Sequence, residues 1–307
     1  METSTIRLAT SADFQAVAQF IETHNQTPST NCIQSSTGEG AESLLEELEK
    51  LSDAGEMSFV VAEEGDQLVG VMGCEFAVEE GRGWLRGPLI RPGNGDPAET
   101  GEEADRFRQV AGALYPALMA EIPPAVTHFD TFLNVENVRG QAFYEALGFW
   151  VRSRHHLYVA HRPDEVKTPR LSCEPMRPEQ LEAARALHNA VFPGIRTGAD
   201  VLQGLDDDHR VWVYAPEGEV LGYVFAVIEP WAEGGYVEFL GVAEGTRGKG
   251  VGAALLATAL QWCFAERNMP EVRLTVEDGN VNARGMYERA GFRLKYSGVN
   301  QRWERAL

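Results

Sequence analysis

The sequence of 307 residues contains no apolar run of the eighteen or so residues that a membrane-crossing helix needs; Val251 to Leu260, among the longest, holds ten. It has only four cysteines, Cys32, Cys74, Cys173 and Cys263, and none stands in a CxxC or metal-ligand spacing. Neither a disulfide framework nor a metal site is expected from them. The first residues, Met-Glu-Thr-Ser-Thr, lack the basic and apolar regions of a secretory signal. Scattered thiols without such a signal lead to the expectation of a cytoplasmic protein. Positive charge is also scarce: 27 Lys and Arg stand against 46 Asp and Glu, a net charge of −19. That balance argues against nucleic acid and against anionic membrane surfaces as partners.

What is present is enough apolar material, 44% of residues, for two ordinary domains. The charge is unevenly divided. Residues 1–169 carry a balance of −15 and residues 170–307 only −4, so a polyanionic ligand meets less repulsion in the second half. The two halves share three blocks in one order. Ile6 to Ile21 and Leu171 to Phe192 each read as a short strand, a polar cap and an amphipathic helix. Phe59 to Gly70 and Val211 to Gly222 each read as a β-hairpin around an acidic, glycine-containing turn. Asn137 to Phe149 parallels Asn280 to Phe292 almost residue for residue. A duplicated fold explains this better than chance. The expected division is a first domain over 1–163, a basic, proline-containing linker over 164–170 and a second domain over 171–307. Strands alternate with helices in each copy, which predicts an α/β or α+β domain around a mixed, mostly antiparallel sheet. Asn25 to Gly40 reads as a surface loop peculiar to the first copy.

The chemistry concentrates after the strand Tyr236–Val242. There Arg247-Gly-Lys-Gly-Val-Gly252 precedes a helix that begins at about Ala253. Free amides at a helix N-terminus, glycines without Cβ atoms and two cations suit a phosphate. The spacing fits neither a dinucleotide fingerprint nor a P-loop. Instead Arg247-x-x-Gly250-x-Gly252-Ala253 resembles the acyl-CoA motif of the GCN5-related N-acetyltransferase (GNAT) family. Asn280-x-x-Ala283-x-x-Met286-Tyr287-x-x-x-Gly291-Phe292 resembles that family's later signature. The resemblance covers residues 170–307, and a weaker form covers 5–160, so the whole chain resembles a tandem member, with a layout similar to that of the mycothiol synthases.

The resemblance implies two tandem GNAT-like domains, each a splayed central sheet flanked by helices. It implies acetyl-CoA as co-substrate, with its pyrophosphate on Arg247, Gly248, Lys249, Gly250, Val251, Gly252 and Ala253. Its pantetheine arm would lie along Leu240, Gly241 and Val242, near Asn280, in a gap before the strand Val272–Val276. The second copy would acetylate an amine by direct attack, with Tyr287 as general acid and Glu238 as general base; Glu229, Glu233, Glu277 and Asp278 stand as further bases. None of the seven histidines has a motif context.

The first copy departs from the pattern. Counted from Gly70 against Gly222, Arg86 stands where Glu238 stands, and Pro88 removes an amide donor. The stretch Arg91–Asp105 lacks the motif and carries Asp96, Glu99, Glu102, Glu103 and Asp105, which would repel phosphate. Tyr144 keeps the place of Tyr287. The expectation is a first copy that no longer binds acetyl-CoA, in a monomer or homodimer that acetylates a small-molecule amine. Acetylation of a protein or peptide, and an acyl-CoA sensor without catalysis, are the alternatives.

Overall fold

The computed structural model describes residues 4–33, 40–91, 100–166, 168–193, 206–229 and 234–304, without the side chains of Thr100 and Glu102. Asp96, Glu99 and Glu233 lie outside the described residues. The fold is α/β, and the chain forms two compact units. The first comprises Met1–His155 and Ser297–Leu307; the second is His156–Tyr296. The division thus falls elsewhere than residues 164–170.

In the first unit, β1 (Thr5–Leu8), β2 (Met57–Glu64), β3 (Gln67–Ala77), β4 (Arg82–Ile90) and β5 (His128–Asn134) follow in that order across the sheet. The end of β12 (Arg293–Glu304) lies beyond β5, antiparallel to it, with Gly298 opposite Asn134 and Glu304 opposite His128. β4 and β5 are parallel, whereas β1–β2, β2–β3 and β3–β4 are antiparallel. Around the sheet stand α1 (Phe14–Asn25), α2 (Ala41–Asp53), α3 (Thr100–Glu121) and α4 (Val138–Ala146). Val60, Val71, Leu85, Leu114 and Phe129 form part of one continuous core.

The second unit repeats the plan. The end of β6 (Trp150–His161) lies beside β11 (Glu271–Glu277), followed by β10 (Gly234–Val242), β9 (Gly222–Glu229), β8 (His209–Tyr214) and β7 (Glu174–Pro175). Its helices are α5 (Leu181–Val191), α6 (Val251–Gln261) and α7 (Val281–Arg289). β9 shows how the sequence dictates the layers. Its side chains alternate, so Val224, Ala226 and Ile228 join the cluster under α6, while Tyr223, Phe225 and Val227 join the cluster under α5. A strand covered on both faces reads as a continuous apolar run, which this one does. α6 is Ala- and Leu-rich, with Val251, Ala254, Leu255, Leu256, Ala259 and Leu260 buried. Each buried leucine contributes about 1.5–3 kcal/mol relative to exposure.

Both units place a β-bulge at the same point. In β10, Val237 pairs with Ala226 and Phe239 with Phe225, leaving Glu238 as the extra residue. In β4, Arg86 pairs with Gly73 and Leu89 with Val71, leaving Gly87 and Pro88 opposite Met72 alone. Bulges twist a strand and re-aim its side chains. Here they coincide with the end of the parallel pairing. β10 pairs with β11 only from Gly234 to Val237, and β4 with β5 only from Arg82 to Leu85. Beyond those points the strands part, and each sheet has a gap. No helix among the described residues is long and apolar enough to cross a membrane.

Candidate active site

The gap in the second unit is open along its β10 side. Phe239, Leu240, Gly241 and Val242 pair with β9 on one edge and with nothing in β11 on the other. That edge offers backbone donors and acceptors to an extended ligand, as an edge strand offers them to a peptide. Gly241 is required there by the core. A Cβ on it would stand 2.6 Å from the ring of Tyr223.

The strand leads through Glu244–Thr246, a single 3₁₀ turn, into Arg247–Gly250 and then α6. Gly248 and Gly250 have φ of +79° and +85°, a region that side chains other than glycine's enter at a cost. Gly250 is the N-cap and brings no side chain to the free amides of the first turn. Gly252 lies against α7, where a Cβ would come 3.1 Å from the Met286 sulfur. Arg247 donates to the carbonyl of Val242 at 3.2 Å, which folds its guanidinium back to the end of β10. Uncapped amides, two positive-φ glycines and nearby cations form a cradle that fits a diphosphate.

α7 begins at Asn280, whose side-chain oxygen accepts from the amide of Ala283 at 3.3 Å. The amide nitrogen of that side chain has no hydrogen-bond partner among the described residues. Tyr287 on the same helix is buried, 8% exposed, and packs edge-on against Phe292. Its hydroxyl has no hydrogen-bond partner among the described residues. Burial raises its pKa to about 12.

Glu238 sits on the opposite side of β10 from the α6 cluster, with its side chain accessible. Crowding by the surrounding protein still pushes its carboxyl upward, and the nearby Glu229 adds to this, with His209 opposing. Glu229 is itself tied to Arg273 at 2.9 Å. Tyr236 bonds to Thr275 at 2.7 Å. Of the other carboxylates considered as bases, Asp278 is committed to Arg284 at 3.0 Å and to His156 at 2.7 Å. His156 thus takes part in a network beside the site, with no motif in the sequence to mark it.

In the first unit the equivalent gap is filled by the chain itself. Asn31, Cys32 and Ile33 enter between β4 and β5. The amide of Gly87 donates to the Cys32 sulfur at 3.2 Å, and the sulfur lies 3.9 Å from the Phe132 carbonyl. The Asn31 carbonyl accepts from the backbone amide of Asn134 and from the side chain of Asn137, both at 3.2 Å. Cys32 is wholly buried and Ile33 8% exposed. The surface loop expected over Asn25–Gly40 is therefore not a surface loop at this point, because the splayed strands leave polar groups that a buried chain segment satisfies. Tyr144 donates its hydroxyl to the carbonyl of Gly87 at 2.7 Å and has no exposed surface. Arg86, at the place of Glu238, is 3% exposed and bonds Glu47 at 2.7 Å and Glu75 at 2.8 Å. Glu103 and Asp105, expected to repel phosphate, are paired with Arg139 and Arg108.

Residues 176–292 match the model of the acetyltransferase (GNAT) family. This half of the chain is similar to the GNAT family. Over 126 residues the chain is 32% identical to a streptothricin acetyltransferase of Streptomyces lavendulae; the match takes in 38% of this chain and 66% of that protein. The chain thus spans just under two thirds of that relative's length. The GNAT fold extends over both units. A GCN5-related N-acetyltransferase from Sphaerobacter thermophilus superposes with a TM-score of 0.68 at 18% identity, over 98% of this chain and 95% of its own. A tandem GNAT protein from the clavulanic acid biosynthesis pathway gives 0.60 at 13% identity, over 99% of each chain.

Proposed function

We propose that the chain is an N-acetyltransferase whose second unit moves an acetyl group from acetyl-CoA to a primary amine of a small molecule. The observation that carries this reading is the coincidence of three things among the described residues of that unit: an unpaired strand edge at Phe239–Val242, an uncapped glycine-rich helix start, and a tyrosine hydroxyl without a partner. The streptothricin acetyltransferase relative supports a small-molecule acceptor.

Acetyl-CoA as co-substrate supplies an activated thioester carbonyl. The amides of Val251, Gly252 and Ala253, with Gly248, Gly250 and the charges of Arg247 and Lys249, hold its diphosphate. Leu240, Gly241 and Val242 offer their open edge to the amides of its arm, and Asn280 donates from its side chain. Glu238 then takes a proton from the acceptor, directly or through water. An ammonium like that of lysine has a pKa near 10.4 and must lose that proton before attack. A base whose own pKa is raised is better matched to the task than an ordinary carboxylate.

We read Tyr287 as a hydrogen-bond donor rather than a full proton donor. Transfer from a phenol at about 12 to a thiolate whose acid lies near 8.5 runs uphill by roughly 5 kcal/mol. Its hydroxyl stays protonated at any working pH and serves as a hydrogen-bond donor to the developing thiolate, with solvent completing the protonation. Among the described residues the first unit has neither an open gap nor a free tyrosine hydroxyl, so we assign catalysis to the second.

The test is release of free thiol from acetyl-CoA across a panel of small-molecule amines and peptides. Turnover on small amines with loss in Glu238→Gln supports the reading. Turnover only on peptides would move the acceptor class, and tight binding without turnover on any amine would overturn the enzyme.

A further inference from the structure

Ala184, Val211, Val213, Phe225 and Val227 form a small apolar core between α5 and the sheet. Beside them stand two polar groups on residues with no exposed surface, the imidazole of His188 on α5 and the hydroxyl of Tyr223 on β9. The two share a hydrogen bond of 2.6 Å at Nδ1. The fold does not need such a pair to close its core. Counted from the first residues of α1 and α5, Phe14 and Leu181, Ile21 stands at the place of His188. Counted from Gly70 and Gly222, Val71 stands at the place of Tyr223. Both are buried in the first unit's core, where Arg86 replaces Glu238 and the gap is filled.

Both members of the pair meet β10 where the gap opens. The ring of His188 lies edge-on to Phe239, with centroids 4.8 Å apart. Tyr223 is opposite Gly241 in the register of β9 and β10, and its ring occupies the space of a Cβ there. Phe239 directly follows Glu238, the extra residue of the bulge. A core held by apolar packing alone tolerates repacking and loses uniqueness first. A buried hydrogen bond adds direction, and it stabilises only while both partners are present.

We propose that His188 and Tyr223 are positioning residues for acetyl transfer: their bond fixes Phe239, and with it the direction in which Glu238 leaves the bulge. The inference rests on the reading of Glu238 as the base. Precision matters there, because a displacement of about 1 Å can cost about a hundredfold in rate.

Turnover, acetyl-CoA affinity and melting of the full chain test this in Tyr223→Phe and in His188→Leu/Tyr223→Phe, with rates read well below every melting midpoint. Tyr223→Phe keeps the ring under Gly241 but strands the imidazole, so it melts below the native chain. The double variant puts apolar groups at both places, as in the first unit, and regains most of that stability. In both, kcat falls about tenfold or more, while the Kd for acetyl-CoA stays within about twofold. In a Glu238→Gln background the same changes alter kcat by less than about twofold, because they act through that carboxylate. A kcat that recovers with the melting temperature in the double variant makes the pair packing alone and overturns the inference, leaving acetyl transfer standing. An equal loss of acetyl-CoA affinity, or a full loss of kcat in the Glu238→Gln background, also overturns it. No turnover by the native chain on any amine overturns both.

Discussion

Tyr144 gives its hydroxyl proton to the carbonyl of Gly87 at 2.7 Å, at the bulge of β4. The corresponding Tyr287 gives its own to nothing among the described residues. Together with Cys32, which accepts from the Gly87 amide, this bond closes the first unit's gap with groups from its own chain. Calorimetry of the full chain with acetyl-CoA is therefore expected to give one site per chain. Two sites of comparable affinity would mean that Asn31–Ile33 leaves the gap to admit ligand.

Tyr287→Phe removes a donor that the raised pKa keeps loaded at every working pH. A loss of one hydrogen bond to a charged sulfur predicts a fall in kcat of about ten- to a hundredfold, with the dissociation constant for acetyl-CoA nearly unchanged. The pH profile of the variant should keep the native shape, because no titration of Tyr287 enters it. A fall of a thousandfold or more, or a changed alkaline limb, would restore proton donation to this residue.

Glu238 must be ionised to act as a base, and its pKa is raised by crowding and by Glu229. The acid limb of kcat/KM should accordingly lie above the ordinary carboxylate range and vanish in Glu238→Gln, with kcat reduced about 10²-fold or more. Stability should move the other way. A carboxyl whose folded pKa is raised contributes fully below its unfolded value, and that contribution is lost as pH rises through the folded one. Glu238→Gln should then melt like the native chain at about pH 4 and higher than it at about pH 8. A variant that melts lower at both would show that the carboxylate is structural.

Gly250 combines a φ of +85° with the N-cap place of α6. Gly250→Ala should cost about 1–2 kcal/mol through left-handed strain. It should also weaken acetyl-CoA binding by about tenfold, as the amide cradle shifts to relieve that strain. Melting and calorimetry on one preparation separate the two effects.

Arg86 lies between Glu47 and Glu75 with 3% of its side chain exposed. Arg86→Ala would leave two carboxylates facing each other. Their own exposure of about 30% lowers the cost to the bottom of the range for broken buried pairs, about 2–3 kcal/mol. Urea unfolding should show the loss.

The repeat was legible because glycines, an asparagine cap and an aromatic recur at fixed spacing, as in Asn137–Phe149 and Asn280–Phe292. The strand–loop–helix context of Arg247–Ala253 followed from the same periodicity, and β10 and α6 flank it as expected. The filled gap was not legible. Cys32 lies in a polar stretch rich in Ser, Thr and Asn, whose composition predicts solvent, and only the parting of β4 from β5 gives it a place to bury. Arg86 likewise reads as a departure from a motif, while its two partners come from distant parts of the chain. His156 and the pair of His188 and Tyr223 carry no motif at all. Their contacts exist only once β6 is laid beside β11 and α5 against β9.

The membership of β12 has a consequence for how the duplicated chain is inherited as a molecule. Its residues Gly298–Glu304 complete the first unit's sheet, although every residue from His156 to Tyr296 belongs to the second. β6, in turn, begins in the first unit and ends in the second. Scission at residues 164–170 would part Gly298–Glu304 from β5 and the end of β6 from β11. Loss or exchange of one half at that point would uncover the edge of β5 or of β11 that the other half's chain now covers.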